Sequence, residues 1–212
     1  MPKRSWGFFI VLLLVYMPIF GYLDKLPLLE WDEARLATNT YEMLQNPGNI
    51  LVTTFGNNPD LWNTKPPLLI WLQVLSMKAL GVNELALRLP SALAAGFLCI
   101  FLYWLLATTI KRPWLGIISC LILVTSEGYV STHGTRTADY DSLLTLFYHF
   151  ILRLLFFIPG REKSPLCVSR FYFDGIGGVD QRYSRIIIYA CTTVILIYQP
   201  KAFCQVICTF LR

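Results

Sequence analysis

The sequence predicts an all-α integral membrane protein, a multi-spanning bundle of helices, on three observations. First, 55% of its 212 residues are hydrophobic and only 15% are charged, against about 25% charged in a typical soluble domain. Second, the mean hydropathy is +0.53. Third, apolar segments recur at 6–23, 89–110, 114–130 and 142–159, each near the ~20 residues that a helix needs to cross about 30 Å of hydrocarbon. The net charge of +5 is modest. It reads as topogenic charge, and no nucleic-acid motif accompanies it.

The first segment follows the basic start MPKRSW. Its apolar run is long for a signal sequence, and no small-residue cleavage site follows, so a retained helix with a cytoplasmic amino terminus is expected. Residues 24–88 then form an outer loop. Within it ARLATNTYEMLQ has helical spacing and ends at NPG (46–48), and GNNPD (56–60) is a turn. The apolar stretch 66–81 is short for a span and carries Gln73 and Lys78, so it is expected to lie along the interface. Segments 89–110, 114–130 and 142–159 complete the set of spans.

Charge orders these helices. If 66–81 does not cross, Lys3, Arg4, Lys111, Arg112, Arg161 and Lys163 all fall on the cytoplasmic side, as the positive-inside rule requires. If it crossed, Lys111 and Arg112 would face outward. The six cysteines carry no site signal. Cys99 and Cys120 sit within apolar runs as small hydrophobes, and Cys167, Cys191, Cys204 and Cys208 make neither a CxxC nor a zinc spacing.

The resulting topology brings two acidic clusters and several cations to the outer rim of the bilayer. One group is Asp32, Glu33 and Lys65 in the first loop; the other is His133, Arg136, Asp139 and Asp141 in the connector STHGTRTADYDS. Ionisable groups at that depth are costly and usually serve a site or an ion path. A carboxylate there can act as general base on an acceptor hydroxyl, and a Lys or Arg can balance a phosphate leaving group. Plainer roles compete: Asp32 and Glu33 as first-turn carboxylates on a helix dipole, Lys65 as a snorkelling cation, Arg88 as a helix-end anchor, His133 as a loop residue, and His149 as a packed mid-helix residue. Glu127, near the outer end of a span, has no assigned role.

Four stretches, WDEARLATNTYEML, NTKPPLLIWLQVLSMKALGVNELALRLPSALAAG, WLGIISCLILVTSEGY and TRTADYDSLLTLF, together resemble the amino-terminal part of the polyprenyl-phosphate-sugar-dependent glycosyltransferases of the C-type fold. The nearest likeness is to bacterial 4-amino-4-deoxy-L-arabinose transferases acting on lipid A, with dolichyl-phosphate-mannose protein mannosyltransferases more distant. The likeness covers about residues 5–155. It implies a multi-spanning enzyme with outer-face juxtamembrane helices, in the bacterial cytoplasmic membrane. Such an enzyme moves a sugar from a polyprenyl-phosphate donor to a lipid A-like or protein acceptor. It implies Asp32 as catalytic base, with Glu33 and Asp141 as further catalytic carboxylates. Lys65 would contact the lipid phosphate, with Arg88, Arg136 and Asp139 binding substrate. A divalent metal would suit the carboxylates, but no ligand set is complete. The alternatives are a small non-enzymatic multi-span protein or subunit, and a transporter. The latter is weaker for want of an internal repeat.

Beyond about residue 156 the character changes. The tail 157–212 is cysteine-bearing and has only a short apolar run at 186–198. Reading permitted codons for residues 171–196 one nucleotide later yields SILMALGVLTKGIAGLLFMPALLLF, which holds the LTKG pattern expected of the family. A frameshift between about residues 150 and 163 is therefore expected. The region 1–156 would then be the glycosyltransferase part, the tail an aberrant one, and the chain an incomplete, inactive product.

Overall fold

A computed structural model of the chain describes residues 4–46, 48, 50–63, 65–131 and 134–157. His133, the four later cysteines and all of 158–212 lie outside them. The chain divides into two units, Met1–Leu146 and Phe147–Arg212.

The first unit is mostly helical. Helix α1 (Arg4–Val15) runs into a π-helical turn, Tyr16–Phe20. That turn contains Pro18, whose missing N–H disrupts the ordinary i→i−4 ladder. Helix α2 (Asp32–Gln45) carries Asp32 and Glu33 in its first turn. A short antiparallel ribbon follows, β1 (Thr54–Phe55) paired with β2 (Asn58–Pro59). This ribbon is a small departure from the all-α expectation. The GNNPD turn closes it with Gly56 and Asn57 both at positive φ, 62° and 60°. A two-residue hairpin whose twist matches its strands needs that conformation, and Gly and Asn tolerate it.

Helix α3 (Leu68–Leu80) is the stretch expected along the interface. It is 13 residues long, about 20 Å and too short to span, and it ends at Gly81 with φ 83°. Helix α4 (Glu84–Leu105) starts earlier than hydropathy placed it. Asn83 caps it, its Oδ1 accepting from Ala86 N at 2.7 Å. Arg88 therefore sits inside the helix rather than before it. With the π turn Leu106–Ile110 that follows, the element reaches 27 residues and is, among those described, the helix long and apolar enough to cross a membrane.

Helix α5 (Pro113–Thr125) opens with proline at its first position, as proline prefers. It stops short of residue 130. Ser126 turns extended, φ −78° and ψ 120°, after the Thr125 and Ser126 hydroxyls bond back to the carbonyls of Leu121 and Ile122. The short α6 (Glu127–Val130) and the connector lead to α7 (Asp141–Phe157). The expected continuous span 114–130 is thus broken at Ser126, where side-chain hydroxyls compete for helix carbonyls.

Helices α1, α4 and α5 pack together, as do α2, α3 and α4. Small residues allow the first grouping. A Cβ on Gly116 would stand 2.8 Å from Tyr103 Cδ2 and 3.1 Å from its Cα, and Gly7 also abuts the Tyr103 ring. Close backbone approach through small residues is how helices associate where lipid removes the hydrophobic drive. Outward faces stay apolar: Phe9, Leu13, Phe97, Trp104, Trp114 and Ile122 are all exposed. A cleft of about 610 Å³ is lined by Phe8, Phe97, Phe101 and Trp104, among others, and by neither carboxylate nor cation.

Candidate active site

The paired carboxylates and cations fall into three arrangements, two of them built from residues picked from sequence. The most buried is an ion pair. Arg88 Nε donates to Glu33 Oε1 at 2.7 Å and Arg88 Nη2 to Oε2 at 2.9 Å, with both side chains almost fully enclosed. Arg88 also donates to the carbonyls of Leu23, Leu26 and Pro27. Glu33 in turn accepts from the backbone N–H of Leu29 at 2.8 Å and of Ala138 at 3.2 Å. A buried ion pair is tolerable only when its remaining lone pairs and protons are satisfied in this way.

The second arrangement lies at the connector. Lys65 Nζ stands 3.6 Å from Asp139 Oδ1 and 4.9 Å from the centre of the Tyr140 ring. Its side chain keeps 52% exposure while that of Asp139 keeps 10%, so the ammonium faces outward from a buried acid. Asp139 Oδ1 also accepts from Tyr140 N at 2.7 Å. The Tyr140 hydroxyl accepts from Asn63 Nδ2 at 3.2 Å, and burial pushes that phenol above its ordinary range. Ser91, one turn beyond Arg88 on α4, donates to the Asp139 carbonyl at 2.9 Å.

The third is a clamp that sequence reasoning missed. Asp60, the last residue of the turn, is buried and accepts from Arg35 Nε at 3.1 Å, Arg35 Nη2, Asn39 Nδ2 at 2.9 Å and Trp62 N at 3.2 Å. The Arg35 guanidinium above all, and then Asn39, holds its carboxyl down to about 2. Arg35 also lies 4.6 Å over the Phe55 ring, and Glu42 accepts from the amides of Gly56 and Asn57. The turn chemistry of GNNPD was legible in sequence. That its aspartate pairs with an arginine 25 residues back was not.

The remaining predicted residues stand as follows. Asp32 is exposed in the first turn of α2, next to Trp31, which has φ 71°. That backbone is strained for a bulky residue. Asp141 is buried and opens α7, where a carboxylate suits the helix dipole. Arg136 Nη2 donates to the Gly21 carbonyl at 2.7 Å, while its buried Nε finds no hydrogen-bond partner among the described residues. The structure thus joins Glu33 with Arg88, and Lys65 with Asp139. Arg136 is turned to the end of the first helical segment. Among the described residues no three His, Cys, Asp or Glu side chains converge on a point that could hold a metal.

A family model described as dolichyl-phosphate-mannose-protein mannosyltransferase matches residues 64–209. The chain belongs to this mannosyltransferase family. The match opens beside Lys65, takes in α3, α4, α5 and the connector, and runs on through 157–209. Asp32 and Glu33 precede the matched range. Neither the curated proteins nor the solved structures yield a match. The family is a membrane glycosyltransferase family that draws sugars from polyprenyl-phosphate carriers. In this member of the family, the carboxylates and cations gather at the junction of α2, α4 and the connector.

Proposed function

We propose that the chain's site transfers a sugar from a polyprenyl-phosphate donor to a lipid or protein hydroxyl at the outer rim of the cytoplasmic membrane. The observation that carries this reading is Lys65, a half-exposed ammonium set against buried Asp139 and over Tyr140. A cation held this way keeps an open side for the singly charged donor phosphodiester and for the second negative charge that develops on the phosphate as the sugar leaves it. Asp32, exposed at the start of α2, takes the proton of the acceptor hydroxyl. The acceptor oxygen attacks the anomeric carbon, the bond from that carbon to the phosphate oxygen breaks, and the polyprenyl phosphate leaves with its charge balanced by Lys65. Exposed apolar faces on α1, α4, α5 and α7 suit a multi-pass bundle in lipid, with the amino terminus cytoplasmic and 66–81 along the interface.

The test is transfer of radiolabelled sugar from a polyprenyl-phosphate donor in membranes, made with the frame-restored chain where the frameshift inferred below is found and with the present chain where it is not. Asp32→Asn should abolish it without loss of insertion, and Lys65→Ala should lower it and weaken donor binding. Full activity in Asp32→Asn would remove that residue from the chemistry. A chain that inserts but never binds polyprenyl phosphate would instead be the non-enzymatic membrane protein.

A second reading concerns the tail, and the LTKG pattern in the shifted frame favours it. We infer a frameshift between about residues 150 and 163. Sequencing codons 145–212 decides it. If the shifted frame is full of stops or lacks LTKG, the tail stands as written, in keeping with the family match through 209. If the frameshift is real, the frame-restored chain should transfer sugar and the present one should not.

A further inference from the structure

We propose that Glu33 and Arg88 do not touch substrate but act as a positioning pair, fixing the helix that bears Asp32 against the segment that bears Asp139 and its partner Lys65. This rests on the reading of Asp32 and Lys65 above. The Glu33 carboxylate has four donors from three parts of the chain: two Arg88 nitrogens on α4, Leu29 N in the first loop, and Ala138 N in the connector. Asp32 is its neighbour on one side of this junction, and Asp139 follows Ala138 on the other. Arg88 completes the frame by collecting the carbonyls of Leu23, Leu26 and Pro27, and Ser91 on the same face of α4 holds the Asp139 carbonyl.

Two features separate this role from catalysis and from a plain ion pair. Every Glu33 oxygen is engaged by donors within the protein and shielded from solvent, so the carboxylate is not placed to abstract a proton from an arriving acceptor. And Arg88 faces three carbonyl oxygens besides Glu33, so the two charges are not interchangeable. In the swapped pair Glu33→Arg/Arg88→Glu, the new carboxylate would meet those carbonyls and the new guanidinium would meet two amide N–H groups. Both encounters are repulsive.

The experiment is hydrogen–deuterium exchange on the full chain in detergent, paired with binding of undecaprenyl phosphate as probe. Glu33→Ala should speed exchange in both 24–29 and 134–140, segments more than a hundred residues apart, and should weaken the probe several-fold. Glu33→Gln keeps one acceptor oxygen for Ala138 N but turns its NH2 on Leu29 N and Arg88 Nη2, so it should restore only part of the affinity. The swapped pair should restore none of it. As a control, Arg35→Ala should speed exchange in 50–63 and leave 134–140 alone. Unchanged exchange at 134–140 in both Glu33→Ala and Arg88→Lys would overturn the coupling. Altered exchange with unaltered probe affinity would leave the pair merely structural and overturn the positioning role. If the unsubstituted chain itself fails to bind undecaprenyl phosphate, the proposed function fails, while the exchange result still decides whether the two segments are coupled.

Discussion

At the scale of single residues, burial decides what a charge can do. Glu33 and Asp32 are adjacent in sequence, yet one is enclosed among four donors and the other is open at a helix start. Asp60 makes the clearest pH prediction. Its folded pKa is about 2, held down first by Arg35, below the ordinary carboxylate value near ~4. A depressed pKa contributes stability above the unfolded value and loses it as pH falls through the folded one. The 50–63 loop should therefore loosen between about pH 4 and pH 2. The contribution at neutral pH is at most about 2 kcal/mol, and less once solvent screening at part-exposed Arg35 is allowed for. Limited proteolysis at 50–63 across that window checks it. Asp60→Asn should weaken that pH dependence, since it removes the carboxylate that Arg35 and Asn39 hold.

At the scale of elements, caps and small residues set where helices begin and how closely they meet. Asn83→Ala removes the side-chain acceptor for Ala86 N and should cost about 1 kcal/mol, read as a lower unfolding midpoint in detergent. Gly116→Val should be worse, because the added carbon meets the backbone of Tyr103, which cannot turn aside as a side-chain tip can. Overpacking of this kind costs roughly 1–3 kcal/mol. Tyr103→Ala in the same chain should relieve part of it, and thermal denaturation of the double variant measures the coupling. The π turn at Tyr16–Phe20 and the break at Ser126 were not foreseen. The first follows from the N–H that Pro18 lacks and the second from hydroxyls that compete for helix carbonyls, neither of which hydropathy averaging can see.

At the scale of the whole molecule, the claim under test is that the first loop and the connector share one face of the bilayer. Cysteine labelling with an impermeant reagent should modify residues introduced at 32 and 131 from the same side, and one at 111 from the other. Labelling of 32 and 131 from opposite sides would end the proposed site. The Glu33 contact with Ala138 N already requires these segments to meet, so the labelling result tests which side of the membrane they occupy.

Sequence by itself determined the membrane character, the family likeness, the turn at 56–60 and the stretches that hold the ionisable groups. Each is a property of composition or of neighbours along the chain. Lys65 and Asp139 were legible as candidates because charge beside apolar segments is costly and therefore conspicuous. Only the tertiary structure decided how the charges are shared out. Arg88 and Glu33 went to one another and to backbone groups, Arg35 went to Asp60, and Lys65 was left half-open beside Asp139. The reason is physical: a buried charge must find its counter-charge and its hydrogen-bond donors or acceptors in space. The partners here are separated by 25 to 105 residues of chain, a distance across which no periodicity or motif carries information.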